Sequence, residues 1–377
     1  MTTTTSSLTR PSYARRSWLV KYLAVAYTLL VAYASLYPFS PWRPLAGSPF
    51  AFLLEPWPRY YTAADVALNV LGYLPFGLLA ALAAMAWTTP RYAALAATLA
   101  GTAVGLGMET LQSFLPPRVP SKLDLLSNGL GALAGALTAV TGGERWLLSG
   151  QLYRLRSRMF LPGAFVDAGF VILVLWLFTQ LYPAVWLFGN GDLRFLFQDP
   201  HNLAYSPATY RWIEAGVTGL NLAGIAALMS SLSRRGRSVA APLLVLVTAA
   251  LLLKSVAALT LFKTGDASLW LTPSAMLGIP AGLALYLGLS WLPGHLLPPT
   301  AAALLLSGAA LVNVAPENPY ILASIQTWSR GHFLSFNGTT RLVSSLWPFL
   351  AVGYLAWWSW RQPASKAPSP ASSQPQR

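Results

Sequence analysis

Glu109-Thr110-Leu111-Gln112-Ser113-Phe114-Leu115-Pro116-Pro117-Arg118-Val119-Pro120-Ser121-Lys122-Leu123-Asp124-Leu125-Leu126-Ser127-Asn128 is the densest polar passage in an otherwise apolar chain. Carboxylates, amides, an arginine and three prolines crowd together between two long apolar runs. Polar side chains at the end of a membrane span are costly unless they pair with one another or line a wet cavity. The passage therefore reads as a junction between two membrane helices, and as the first candidate for a functional site.

The flanking runs cover 92–114 and 123–141. Eight more occur at 18–37, 65–87, 161–182, 212–232, 239–262, 269–292, 297–314 and 340–360. A hydrocarbon core of about 30 Å needs about 20 helical residues, and each run has roughly that length. Hydrophobic residues make up 55% of the 377 and charged residues only 10%, against about 25% charged in a soluble domain. The composition predicts an all-α integral membrane protein, a polytopic bundle of about ten transmembrane helices. With no cysteine, disulfides, thiolate nucleophiles and Cys-ligated metals are excluded.

The net charge of +14 is read as topology rather than as nucleic-acid binding. With the N-terminus in the cytoplasm, Arg10, Arg15 and Arg16, then Arg145, Arg154, Arg156 and Arg158, then Arg234, Arg235 and Arg237 all fall in inner segments. Positive residues concentrate in cytoplasmic loops, so both termini are expected there, with the Asp65–Asn128 cluster on the outer face. Lys254 falls inside a span and is expected to snorkel outward. Arg15-Arg16 and Ala32-Tyr33-Ala34 resemble a cleaved signal peptide, but so many spans follow that the first is read as a retained anchor. The organisation expected is a disordered basic tail (1–17), a four-helix membrane domain (18–142), a basic cytoplasmic linker (143–160), a six-helix membrane extension (161–360) and a disordered tail (361–377). Leu68-Asn69-Val70-Leu71-Gly72 is echoed by Leu220-Asn221-Leu222-Ala223-Gly224, at spacings that argue against a true repeat.

Helical spacing places residues three and four apart on one face. Asp65 and Asn69 then stack, with Gly72 and Pro75-Phe76-Gly77 deeper in the same span. Gly101, Gly105, Glu109 and Gln112 form one stripe; Asp124, Asn128, Gly131 and Gly135 form another. Small residues in such stripes let helix backbones approach closely, and the simplest packing turns the three polar pairs toward one another. Pro116, Pro117 and Pro120 forbid helix between them. Ser121 and Asp124 fit a capping box that starts the next helix, and a helix start beside Arg118 and Lys122 offers a phosphate seat.

Each residue also has a purely structural reading. Asp124 caps a helix, Asn128 and Gln112 are interhelical hydrogen-bond glue, Asp65 is solvated at the interface, and Glu109 pairs with Arg118 to hold the loop.

Asp65-x3-Asn69-x5-Pro75-x-Gly77, Glu109-x2-Gln112, Pro117-Arg118-x2-Ser121-x2-Asp124 and Asn128-x2-Gly131-x3-Gly135 resemble, in order and spacing, the VanZ-like family over roughly residues 20–142. That family is named for a teicoplanin-resistance accessory protein. The resemblance implies a cell-envelope role in a bacterial inner membrane and, for the namesake, lowered sensitivity to a lipid-bearing glycopeptide. It supplies no settled reaction and no cofactor.

Two functions fit these residues. In the first, an enzyme acts on a membrane lipid or lipid-linked precursor (a phospholipid or polyprenyl-phosphate head group). Glu109, Asp124 or Asp65 serves as general acid or base, since no histidine is near. Asn69, Gln112, Arg118, Ser121, Lys122 and Asn128 bind the substrate. The three carboxylates could instead gather one divalent cation, which nothing in the spacing demands. In the second, a non-catalytic envelope or scaffold protein binds a head group, an antibiotic or a partner; binding needs the arginine and amides but no titrating carboxylate. A transporter fits the span count but has only Lys254 as a deep charge.

Overall fold

The computed structural model describes residues 18–45, 47–58, 61–142, 151–182, 186–194, 206–261, 266–316 and 334–361. The tails at 1–17 and 362–377 and residues 143–150 of the basic linker lie outside the described residues, as do 195–205 and 317–333. Among the described residues there are eleven α-helices and no strand. They are α1 (Trp18–Leu36), α2 (Ala63–Ala84), α3 (Pro90–Gln112), α4 (Lys122–Thr138), α5 (Gln151–Met159), α6 (Ala164–Thr179), α7 (Pro207–Leu232), α8 (Ala240–Leu261), α9 (Pro273–Leu289), α10 (Leu297–Val314) and α11 (Leu334–Arg361).

Every apolar run of the sequence is a helix. Eight are long and apolar enough to cross a membrane, while α6 and α9 are shorter, at 16 and 17 residues. The shortness of α6 has a local cause: positive-φ Gly163 precedes it, and the chain leaves it at Gln180. The basic linker is not all irregular, because its second half forms α5, with Arg156 and Arg158 in the last turn.

Helix starts are set by local chemistry. Thr62 and Asp65 form a full capping box at α2, and Pro90 and Pro273 occupy the first turns of α3 and α9, where a missing N–H costs nothing. Inside α2, Pro75 has no N–H to give. One turn before it, the Gly72 carbonyl accepts the Tyr27 hydroxyl at 2.8 Å and ties α2 to α1.

The tightest crossing is α2 on α4. A Cβ added at Gly131 would collide with the Val70 carbonyl, one at Gly135 with the Leu74 carbonyl, and one at Gly77 with the Ala132 carbonyl. Gly101 of α3 packs its backbone on the Ala132 side chain. The small-residue stripes read from the sequence are thus the contact surfaces.

In the second half, α7 is central. It is buried over 78% of its apolar window, whereas α1 is buried over 11%; α7 carries Glu214, Thr218, Asn221 and Ser231, all buried, and polar side chains within a membrane span face the bundle interior. Helices α9 and α10 lie against it, and Trp176 and Trp347 fill the core beside it. Residues 186–194 run as irregular backbone between α10 and α11. Such backbone is tolerated at membrane depth only when protein satisfies it. Here Gln180 accepts the Phe188 N–H, Ser344 the Gly191 N–H, and Asn313 the Leu193 N–H. Helix α1 bridges the halves, packing on α2 and α3 and also on α6 and α11.

Lys254 of α8 corrects an expectation. Its side chain does not snorkel; it is buried, and Nζ donates to the Tyr182 carbonyl at 2.9 Å just past α6. That carbonyl stands within reach at the end of a short helix, so a buried charge-assisted hydrogen bond replaces the longer path to the interface.

Two ends of the bundle are chemically distinct. At one, Asp167 of α6 pairs with Arg156 and accepts the Leu19 N–H at 3.0 Å. Lys21 lies over the Trp18 and Trp87 rings, and Arg234 donates to the Ser157 and Phe160 carbonyls. The other end holds the polar passage Glu109–Asn128.

Candidate functional site

At that other end α3 stops at Gln112 and α4 starts after Ser121, so the turn between them is held by side chains rather than by helix. Glu109 is buried, and its Oε2 accepts the Ser121 N–H at 2.8 Å. Ser121 caps α4 by accepting the Leu123 N–H at 3.1 Å. The capping box expected between Ser121 and Asp124 is not formed. Asp124 reaches across to α2 instead, where its Oδ1 accepts the Asn69 amide at 2.7 Å. The capping box belongs to Thr62 and Asp65, so Asp65 carries a helix-start role of its own.

Arg118 does not form the expected pair with Glu109. Its Nε donates to the Tyr37 carbonyl and its Nη2 to the Ala34 carbonyl, each at 2.9 Å, and Gln112 Nε2 donates to the Ser35 carbonyl at 2.9 Å. Both side chains therefore satisfy carbonyls that the end of α1 leaves without intrahelical partners. Burial lowers the Arg118 pKa from its ordinary value and nearby Glu109 pushes it back up. Starting from so high a value, the guanidinium stays cationic.

These residues surround one cavity of about 710 Å³. Asp65, Asn69, Glu109, Gln112, Arg118, Asp124 and Asn128 all line it, so seven of the nine sequence candidates converge. Ser121 stands behind Glu109. Lys122 is placed elsewhere, over the Trp57 ring with Nζ donating to the Glu55 carbonyl, beside an apolar groove between α3 and α4. Among the described residues no three His, Asp or Glu side chains are grouped so as to share a metal ion.

Two buried polar atoms on this wall have no protein partner: the Tyr73 hydroxyl and Asn128 Oδ1. Orphaned groups of this kind are rare in folded proteins and mark a strain, a catalytic role or an absent partner molecule. Tyr73 was missed in the sequence, although it sits four residues after Asn69 and so shares its face.

The rest of the wall is mainly apolar and comes largely from helices outside the motif. Tyr27, Leu30 and Val31 of α1, Leu68 and Leu71 of α2, Phe178 of α6 and Thr339 of α11 complete it. Leu68, Leu71 and Val119 are exposed at the rim. From Asp65 to Gly72 the cavity follows α2 for about 10 Å at 1.5 Å per residue, passing from carboxylates to leucines. The chemistry on offer is that of an amphipathic ligand, with a polar end among charges and an apolar end directed between α1 and α2. The echoed Asn221 takes no part; it packs against Gly308 of α10 and donates to the Val217 carbonyl at 2.9 Å.

Residues 14–143 match the model of the VanZ/LLP1 family. No curated protein and no solved structure matches the chain.

Proposed function

We propose, taking residues 14–143 as a VanZ/LLP1 domain, that this membrane protein serves the cell envelope by holding a lipid-linked phosphate head group in the cavity between α1 and α4. The observation that carries the reading is the union, in one cavity, of orphaned buried polar atoms, a buried guanidinium and an apolar wall that opens between two lipid-facing helices. Ligand cavities usually measure about 300–1,000 Å³. This one is too small for a whole two-chain lipid, so the chains leave past Leu30, Leu68 and Leu71.

Holding a head group requires no proton transfer, and Glu109 is already engaged by the Ser121 amide, so binding rather than turnover is the role assigned. The positive-inside rule puts both termini in the cytoplasm and the cavity on the outer face of the bacterial inner membrane. Lowered sensitivity to teicoplanin would follow if that lipid-bearing drug competes for the same amphipathic space.

Asn128→Leu tests this reading. The substitution fills the wall at a position whose Oδ1 has no protein partner, so it is expected to leave thermal stability within about 1 kcal/mol. It should also strip the co-purifying lipid detected by mass spectrometry. A variant that retains lipid as the unmodified protein does would remove the cavity from consideration.

A further inference from the structure

We propose that the head group held in the α1–α4 cavity carries a primary ammonium beside its phosphate; this rests on the lipid-binding reading above. The first ground is charge. Glu109 and Asp124 both line the cavity and stand within electrostatic reach of each other, and among the described residues neither forms an ion pair. Among the described residues that line the same space, Arg118 is the cation. Lys122 is turned toward Trp57 and Glu55 and offsets nothing there. A wall whose described residues bring three carboxyl groups, Asp65, Glu109 and Asp124, and one guanidinium, backed by apolar helices, favours a ligand that brings positive charge along with its phosphate.

The second ground is hydrogen-bond type. Glu109 uses Oε2 for Ser121, and Asp124 uses Oδ1 for Asn69. The second oxygen of each carboxylate accepts from no described protein donor, and Asn128 Oδ1 is buried without one. Three acceptors in one cavity match the three N–H donors of an –NH3+ group. A quaternary ammonium supplies the charge but no donor. A glycerol head group leaves a net anion facing carboxylates. A shared divalent cation would require carboxylates grouped as ligands, and the described residues form no such group.

The test uses the full chain purified in detergent, titrated by native mass spectrometry with phosphatidylethanolamine, its mono- and dimethyl forms, phosphatidylcholine and phosphatidylglycerol of identical acyl chains. Phosphatidylethanolamine is expected to bind about tenfold tighter than phosphatidylcholine or phosphatidylglycerol, with affinity falling at each methylation. Asp124→Asn keeps an acceptor for Asn69 and should shrink that preference to about threefold or less. Soluble phosphoethanolamine as competitor separates the head group from the lipid; displacement at equal concentration would assign the site to a free amine phosphate and overturn the lipid form of the proposal. Equal binding of the ethanolamine and choline lipids, or tighter binding of the glycerol lipid, overturns the ammonium while leaving lipid binding intact. Binding of none of the lipids overturns the lipid reading itself.

Discussion

Replacing Gly135 by leucine is expected to destabilise the protein by about 3 kcal/mol or to prevent its accumulation, the upper end of overpacking effects. The reason is backbone against backbone. A Cβ at Gly135 falls on the Leu74 carbonyl, and a leucine adds three more carbons in the same direction. Flexible neighbours could give way, but here the obstacle is the α2 main chain, held at the same crossing by Gly77 against the Ala132 carbonyl. In lipid no hydrophobic force drives the helices together, so their association relies on close van der Waals contact. Gly107 of α3, with nothing within 4 Å of an added Cβ, is the matched control and should tolerate alanine. Thermal unfolding in detergent reads both. A Gly135→Leu protein as stable as the Gly107→Ala one would contradict the α2–α4 crossing.

Arg118→Ala has the second largest expected effect, about 2–3 kcal/mol, the range for a lost pair of charge-assisted hydrogen bonds. It removes the donors to the Ala34 and Tyr37 carbonyls and leaves the end of α1 unsatisfied beside the cavity. Gln112→Ala, which deletes one neutral bond to Ser35, should cost about 1 kcal/mol. Lysine cannot reproduce the fork, so Arg118→Lys is expected to recover less than half of the loss. Unfolding midpoints of the three variants decide the order. Equal effects of Arg118→Ala and Gln112→Ala would show that the guanidinium does not hold α1.

The glycine stripes and the polar pairs were legible in the sequence because they are periodic within single helices. Gly101, Gly105 and Glu109 are buried on one face of α3, as their spacing requires. Partner choice was not legible. Thr62-x-x-Asp65 and Ser121-x-x-Asp124 are the same local pattern, yet only the first acid turns back to its own helix start. Asp124 is diverted by Asn69, fifty-five residues away, which reaches it only because α2 and α4 cross at glycine.

Arg118 was similarly drawn away from Glu109, its expected partner, to the Ala34 and Tyr37 carbonyls at the end of α1. Lys254 looked like a snorkelling residue because composition does not say where a neighbouring helix ends, and α6 ends at the lysine's reach. The apolar wall from α1, α6 and α11 left no mark at all. Tyr27, Phe178 and Thr339 are ordinary residues of apolar spans and become part of the cavity only through packing.

We propose that a lipid head group sits among Glu109, Asp124 and Asn128 with its chains leaving between α1 and α2. It is tested most directly by photo-crosslinking the membrane-embedded protein with a phospholipid carrying a diazirine near the start of one acyl chain. Labelling is expected to concentrate at Leu30, Leu68 and Leu71 and to be lost in Asn128→Leu, while exposed positions on α8 such as Leu244 and Leu252 are labelled weakly in both proteins. Equal labelling of α8 and the α1–α2 opening, unchanged by Asn128→Leu, would contradict it.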